Sequence, residues 1–306
     1  MLAKMAVSAS CQLPANIKLP PSASPGPTGA QTPEPSSING ILRENKRDRL
    51  FVCPLQWTSQ HLLLLGCQFH KTARWKSKTK NAGSHAPDDA LSKPITCAVD
   101  DLLHAYSSEI KTSSVRYLLQ IHDIHHSNPN LSFRFAQCVV ATLQTDGVFS
   151  CSDAPTLAYL DLGAIASRRS MTIRMPRSQA VPNPPVARLQ QIHMRQLQPT
   201  NEVEDPYIAA VLIALAQGRR YGQTVTTPEY KVHLLALPMT NARIAPSCLY
   251  FYTALIPRAF LDRFDHPSRY FPCGAILISY CRIPLKPPGE MMRAIAYVVS
   301  AVRNGP

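Results

Sequence analysis

The chain has 306 residues, which leaves room for one or two domains with a substantial core. Its 28 prolines against only 12 glycines exclude a collagen-like or glycine-rich polymer and indicate loops and linkers. The formal charge of +13 lies mostly in residues 1–200. Basic flexible segments bind polyanions loosely, act as nuclear-import signals, or are simply solvated chain.

No stretch of the sequence reaches the roughly 20 apolar residues that a bilayer-spanning helix needs. The longest apolar run near the start, Leu62 to Leu65, is too short and too far along the chain for a signal peptide. Nine cysteines, without a CxxC pair, are typical of reduced thiols in an intracellular protein. We therefore predict a nuclear or cytoplasmic protein without a membrane span.

The first 94 residues carry few structural signals. Residues 1–50 are of low complexity and have too few large apolar groups to offset the entropy of ordering them, so we predict disorder. Residues 51–94 are predicted to be basic and poorly ordered. Residues 71–80 place five basic side chains around one aromatic ring, a pattern that can clamp a phosphate backbone and stack a base, or belong to a solvated tail or import signal. The candidate nucleic-acid-binding residues are Lys71, Arg74, Trp75, Lys76, Lys78 and Lys80.

Residues 95–168 are predicted to be mainly helical, because apolar residues recur at helical spacing in 99–110 and 115–122. Residues 131–135 alternate as a strand would, whereas 139–143 suit a helix, and the pattern leaves this choice open. A further helix is expected from Asp153 to Ala166. Residues 169–200 contain arginines, prolines and no acid, so we predict an extended basic linker and a domain boundary there.

Residues 201–306 form the best-patterned part of the chain. Asp205 is predicted to cap a helix that begins at Pro206 and ends near Gly222. Ten consecutive residues, Tyr207 to Ala216, are apolar, so this part of the helix has no polar face, which indicates a core helix. The order of elements is then α-β-β-α-β-α, an α+β fold with helices over a three-stranded sheet. The predicted strands are Tyr230 to Leu237, Cys248 to Ile256 and Gly274 to Leu285, with helices after Pro257 and from Met292 to Val302.

This region also carries a family resemblance. The segments EDPYIAAVLIALAQ, KVHLLAL, LYFYTALIPRAFLDRFDHPSR and ISYCRIPLKP span roughly residues 202–302. Together they resemble a set of uncharacterised filamentous-fungal proteins that share a DPYI-type helix, strands ending in YTA, an FLDRFD-type helix and a last strand with IPLKP. The resemblance implies no activity, and nothing in residues 1–200 contributes to it.

One catalytic hypothesis is a nuclease. The α-β-β-α-β order resembles a trimmed PD-(D/E)XK nuclease core, and Glu229 and Lys231 form an E-x-K motif. In such enzymes two carboxylates hold Mg²⁺ while the lysine steadies the water or the phosphate. Asp205 would have to supply the second carboxylate. However, the triplet precedes the first strand of the pair, whereas the motif belongs on the later strand. The alternative is a helix cap and two solvated charges at a strand edge.

A second hypothesis is a metal site in the HDIHH run, where His122 shares a helical face with His125 or His126, and Cys67 and His70 would complete the ligands. The alternative is that the histidines end an apolar face and cap a helix. We predict no metal or cofactor.

These observations predict a non-catalytic protein-interaction or scaffold module with an unknown protein partner. The alternative is association with nucleic acid through the basic segments, with or without a degenerate nuclease-like domain.

Overall fold

The computed structural model describes residues 32–73, 93–151, 154–173, 184–222, 227–239 and 246–304. The helices are α1 (Ile38–Glu44), α2 (Ser59–Leu65), α3 (Lys93–His104), α4 (Ser108–Gln120), α5 (Leu162–Ile173), α6 (Pro184–Leu197), α7 (Pro206–Gly222), α8 (Arg258–Asp265) and α9 (Pro288–Arg303). The strands are β1 (Cys67–Lys71), β2 (His125–Ser127), β3 (Asn130–Phe135), β4 (Cys138–Gln144), β5 (Gly147–Ser150), β6 (Leu157–Asp161), β7 (Glu229–Leu237), β8 (Cys248–Pro257) and β9 (Ile276–Pro284).

The predicted α+β class is confirmed, and so is the α-β-β-α-β-α order of the last hundred residues. Helix α7 is the predicted core helix, because every side chain from Pro206 to Gln217 is buried. Asp205 caps it as expected: one carboxylate oxygen accepts the Tyr207 backbone N–H at 2.8 Å.

The sheet is larger than the predicted three strands. Seven strands pair in the order β1-β9-β8-β7-β6-β5-β2. The pairs β1–β9 and β6–β7 are parallel, and the other pairs are antiparallel. The sheet therefore runs across the expected domain boundary at residues 169–200. Parallel pairing of distant segments leaves no local pattern, which is why the sequence did not show β1 and β6 as strands of this sheet.

The middle region is not mainly helical. After α3 and α4 come the five strands β2 to β6, and the helix expected from Asp153 to Ala166 is instead strand β6 followed by α5. Strand β6 is buried throughout, and a short run that is apolar on both faces cannot be told from a buried helix by periodicity. The strand reading of residues 131–135 is right, and residues 139–143 lie in β4, not in a helix.

Three other segments were predicted to lack structure. Residues 32–50 contain α1, which the Ser37 side chain caps, and residues 51–73 contain α2 and β1. The expected extended linker holds the end of α5 and all of α6. The predictions for residues 1–31, 74–92 and 174–183 lie outside the described residues. Long-range packing against the sheet compensates for weak local signals, as with Trp57, which is buried against the rest of the core.

Two apolar layers cover the sheet. Helix α7 and helix α8 lie on one face, where the β3–β4 hairpin also packs against α7. Helices α3, α4 and α9 cover the other face. Within the described part of the chain, none of the helices has the length and apolarity to span a bilayer.

Candidate anion-binding cleft

A cleft of about 690 Å³ opens at one end of the sheet. Strands β1 and β9 run parallel and end there, and strand β8 begins there. The last turn of helix α3 closes one side with Leu103 and His104. Four elements from distant parts of the chain therefore meet around one cavity.

The charged side chains that line the cleft are basic. Lys71 is the last residue of β1, Arg282 lies on β9, and Lys286 follows β9 by two residues. Among the described residues of the lining, none carries a carboxylate. Like charges converge here without a neutralising acid, which is the arrangement expected of a site for anions.

Arg282 is held in place by two hydrogen bonds. Its Nε donates to the Cys248 sulfur at 3.3 Å, and its Nη2 donates to the Ser247 hydroxyl oxygen at 3.2 Å. The hydrogen bond to Cys248 raises the pKa of Arg282 above its ordinary value. The guanidinium therefore stays charged, and its fork is oriented before any ligand arrives.

The position of Lys71 follows from the strand register. Lys71 pairs with Tyr280 of β9, and the next residue, Thr72, donates both its backbone N–H and its hydroxyl to the Tyr280 carbonyl, at 2.8 and 3.0 Å. These bonds fix the chain as it leaves β1. Of the six predicted nucleic-acid-binding residues, Lys71 is thus placed in the cleft, and the remaining five lie outside the described residues.

His104 adds a further nitrogen to the lining. Its Nδ1 lies 3.1 Å from the Asp100 carbonyl oxygen, which can only accept a hydrogen bond, so Nδ1 is the donor. This leaves Nε2 to accept when the ring is neutral and to donate when it is protonated. The other side of the lining is apolar, with Pro246 and Pro284.

The structure does not bring the three candidate nuclease residues together. Both oxygens of Asp205 accept hydrogen bonds from the buried Arg169 guanidinium, at 2.5 and 2.6 Å. Lys231 lies beside the other end of α7, where its carbonyl accepts from Arg219 at 2.7 Å. Fourteen residues along α7 separate Asp205 from Arg219, about 20 Å at 1.5 Å per residue. Because Glu229 lies on the same strand as Lys231, the three residues do not converge on one metal site.

The HDIHH histidines are separated by secondary structure. His122 follows α4, whereas His125 and His126 belong to β2, where His126 packs edge-on against Phe149. They therefore do not share a helical face, and they do not cap one. In the residues that the structure describes, no group of three His, Cys, Asp or Glu side chains is placed to hold a metal ion.

Comparison with protein-family models, with curated proteins and with solved structures found no match. The resemblance of residues 202–302 to filamentous-fungal proteins stays a prediction.

Sequence reasoning missed Arg282, Lys286, His104 and Ser247. The signal that was present is a pair of basic residues at the end of an otherwise apolar strand, in YCRIPLK. Without the pairing of β9 to β1, nothing connects that signal to Lys71.

Proposed function

We propose that the protein is a non-catalytic, intracellular nucleic-acid-binding protein whose cleft holds phosphate groups. The observation that carries this proposal is the convergence of Lys71, Arg282 and Lys286 around one cavity without a carboxylate among the described lining residues. Phosphate oxygens are the natural acceptors for such a set of donors.

Nucleic acid is favoured over other polyanions by the amino-acid sequence that begins with Lys71. Lys71 begins the run KTARWKSKTK, which adds four basic residues and one tryptophan. Cations that follow a phosphate backbone and an aromatic ring that stacks on a base are the combination used to bind single strands without sequence preference.

The test is a titration of labelled single-stranded DNA and RNA with the full chain at increasing salt concentration. Each phosphate contact contributes about 0.7 to the slope of log affinity against log salt for single strands. The double variant Lys71→Gln/Lys286→Gln should lower that slope by about 1.4. The control Arg258→Gln/Arg293→Gln removes the same charge from exposed positions on α8 and α9 and should leave most of the slope. An equal effect of both pairs would contradict a role for the cleft.

A protein-interaction module is the second candidate, and a different surface favours it. Helices α3 and α4 form a groove of about 540 Å³ that exposes Ile110 and Tyr117. Asp101 and Glu109 are the acidic residues among its described lining. An exposed apolar surface with acidic residues beside it is typical of a groove for a basic amphipathic helix.

Helix α6 of a second copy of the chain has the exposed apolar residues and the positive charge that this groove would bind. Leu189 is 66% exposed and Ile192 lies one turn away, also exposed, while Arg188 and Arg195 supply positive charge. The charges of groove and helix are complementary, so we propose that α6 of one copy occupies the groove of another. Such a head-to-tail contact uses two different surfaces of each copy.

Sedimentation of mixed variants tests this assembly. The variant Ile110→Lys blocks the groove, and Leu189→Asp blocks the helix. Each variant alone should be monomeric, whereas an equimolar mixture should form a dimer and nothing larger, because only one pair of intact surfaces remains. A wild-type chain that stays monomeric at high concentration would exclude this assembly of two copies.

A further inference from the structure

The cleft holds more positive charge than one backbone phosphate requires. A phosphodiester in a strand carries a single negative charge. Three cationic side chains, Lys71, Arg282 and Lys286, share the cavity, and His104 adds a fourth basic group. A phosphomonoester carries a charge of about −1.5 to −2 at neutral pH and offers three acceptor oxygens. The terminal phosphate of a strand therefore matches the cleft better than an internal one.

The donors that remain free in the cleft also suit a terminal phosphate. Arg282 uses Nε and one Nη2 hydrogen on Cys248 and Ser247, which leaves the Nη1 hydrogens for a ligand. Since the Ser247 oxygen accepts from Arg282, its own hydroxyl hydrogen has no acceptor among the described residues and can donate to a ligand. With the two lysine ammonium groups, the polar lining consists almost entirely of donors.

The size of the cavity agrees with a chain end. A volume of about 690 Å³ lies within the range of small-molecule sites and can hold about one nucleotide. The elements α3, β1, β8 and β9 contribute to its lining, and its basic side chains are exposed, so the end of a strand can reach them from solvent.

In the proposed arrangement Arg282 and the lysines are engaged by the phosphate and not by a base edge, so the lining predicts that bases are not distinguished. Leu103, Pro246 and Pro284 offer apolar contact to a sugar or base. Asn and Gln, which read base edges by paired hydrogen bonds, do not occur among the described lining residues.

We propose that the cleft binds the terminal phosphomonoester of a nucleic-acid strand, without sequence preference. This inference rests on the proposed function and names the part of the nucleic acid that the cleft recognises.

The experiment compares one oligonucleotide sequence in three forms, with a 5′-phosphate, with a 3′-phosphate and with hydroxyl groups at both ends, by fluorescence anisotropy with the full chain. A terminal phosphate at one of the two ends should raise affinity about tenfold or more over the hydroxyl form. Lys286→Gln and Arg282→Lys should reduce that preference to within about twofold. Arg293→Gln, an exposed change on α9, should preserve it. A second sequence of the same length should give the same preference.

Three other outcomes overturn the inference in distinguishable ways. Equal binding of all three forms would contradict recognition of the terminal phosphate but would leave the proposed nucleic-acid binding intact. A nucleoside monophosphate that competes as well as the phosphorylated strand would make free nucleotide the ligand. Absence of binding to every form would remove the proposed function as well. Thermal unfolding of each variant confirms that lost binding is not lost folding, and Lys286→Gln is the safest variant because its side chain is exposed.

Discussion

Asp205 and Arg169 form a buried ion pair in which every polar atom of the carboxylate is used. Arg169 donates two hydrogen bonds to Asp205 and a third, from Nε, to the Leu55 carbonyl at 2.8 Å. The pair ties helix α5 to the start of α7 and to the segment that precedes α2. An acid that the sequence offers as a metal ligand is thus a structural anchor.

Replacing Asp205 with alanine should lower the free energy of unfolding by about 3–5 kcal/mol, because the Arg169 charge is left buried without its partner. Urea denaturation monitored by circular dichroism measures this change. The double variant Arg169→Met/Asp205→Ala is the control and should recover part of the loss, since it removes the unpaired charge. A loss below 1 kcal/mol in the single variant would contradict this account.

His233 is a buried imidazole whose ring stacks on Phe251 and whose Nδ1 lies 3.0 Å from the Thr253 hydroxyl. Burial lowers its pKa to about 3, and the charges of Lys231 and Arg219 act in the same direction. In the unfolded chain a histidine titrates near 6.5. The unfolded state therefore binds the proton first as the pH falls.

The stability linked to His233 is present above about pH 6.5 and is lost as the pH falls toward 3. The loss should amount to roughly 1.4 kcal/mol per pH unit within that window. His233→Gln should flatten this part of the profile, and urea denaturation of both proteins from pH 7 to pH 4.5 measures the difference. Carboxylates shared by the two proteins cancel in the comparison. Parallel profiles would show that His233 does not carry the effect.

At the scale of elements, helix α7 is the centre of one apolar layer. Alanines at 209, 210, 214 and 216 let it approach the sheet closely, and its larger side chains fill the space between β7 and the β3–β4 hairpin. The Gln217 amide accepts the Arg134 N–H at 2.8 Å and donates to the Arg134 carbonyl at 2.9 Å. A side chain thus completes the backbone hydrogen bonds of β3.

Leu212→Ala should cost about 2–5 kcal/mol of stability, because Leu212 is fully buried in this layer and its removal leaves a cavity. The matched control is Leu189→Ala on helix α6, where the same side chain is mostly exposed. That change should stay within about 0.5 kcal/mol. Similar costs at the two positions, in chemical denaturation, would mean that α6 is covered or that α7 is not a core element.

The elements that sequence could predict are those with a complete local signal. Helix α7 has its cap, its apolar length and its terminal arginines within eighteen residues, so its bounds follow from the sequence. The β3–β4 hairpin turns at Ala136 and Gln137, which both have positive φ. Turns of this kind usually contain Asn-Gly, so the sequence carried no signal for the hairpin. The cleft was beyond prediction because Lys71 and Arg282 meet only through the β1–β9 pairing.

At the scale of the whole molecule, residues 201–306 depend on what precedes them. Leu102, Leu118 and Leu119, from α3 and α4, are fully buried in the layer that also contains β8, β9 and α9. Strand β7 has β6 as its other neighbour. Without residues 93–161, an apolar face and a strand edge would be exposed.

A fragment of residues 201–306 should therefore lack a cooperative unfolding transition and should bind a hydrophobic dye, whereas the full chain unfolds in a single step. Urea titration monitored by far-UV circular dichroism compares the fragment with the full chain. This signal is used because the fragment contains no tryptophan. A cooperative transition of the fragment would instead establish the domain boundary that the sequence predicts.

The parallel pairing of β1 with β9 also sets an order in time. The ribosome makes Cys67 about two hundred residues before its partner Ile276, an interval of roughly 10 to 40 seconds at ordinary elongation rates. Until then Lys71 has neither Arg282 nor Lys286 beside it. A nascent chain therefore carries a basic segment but no cleft, and only translation through Lys286 supplies every cation of the site.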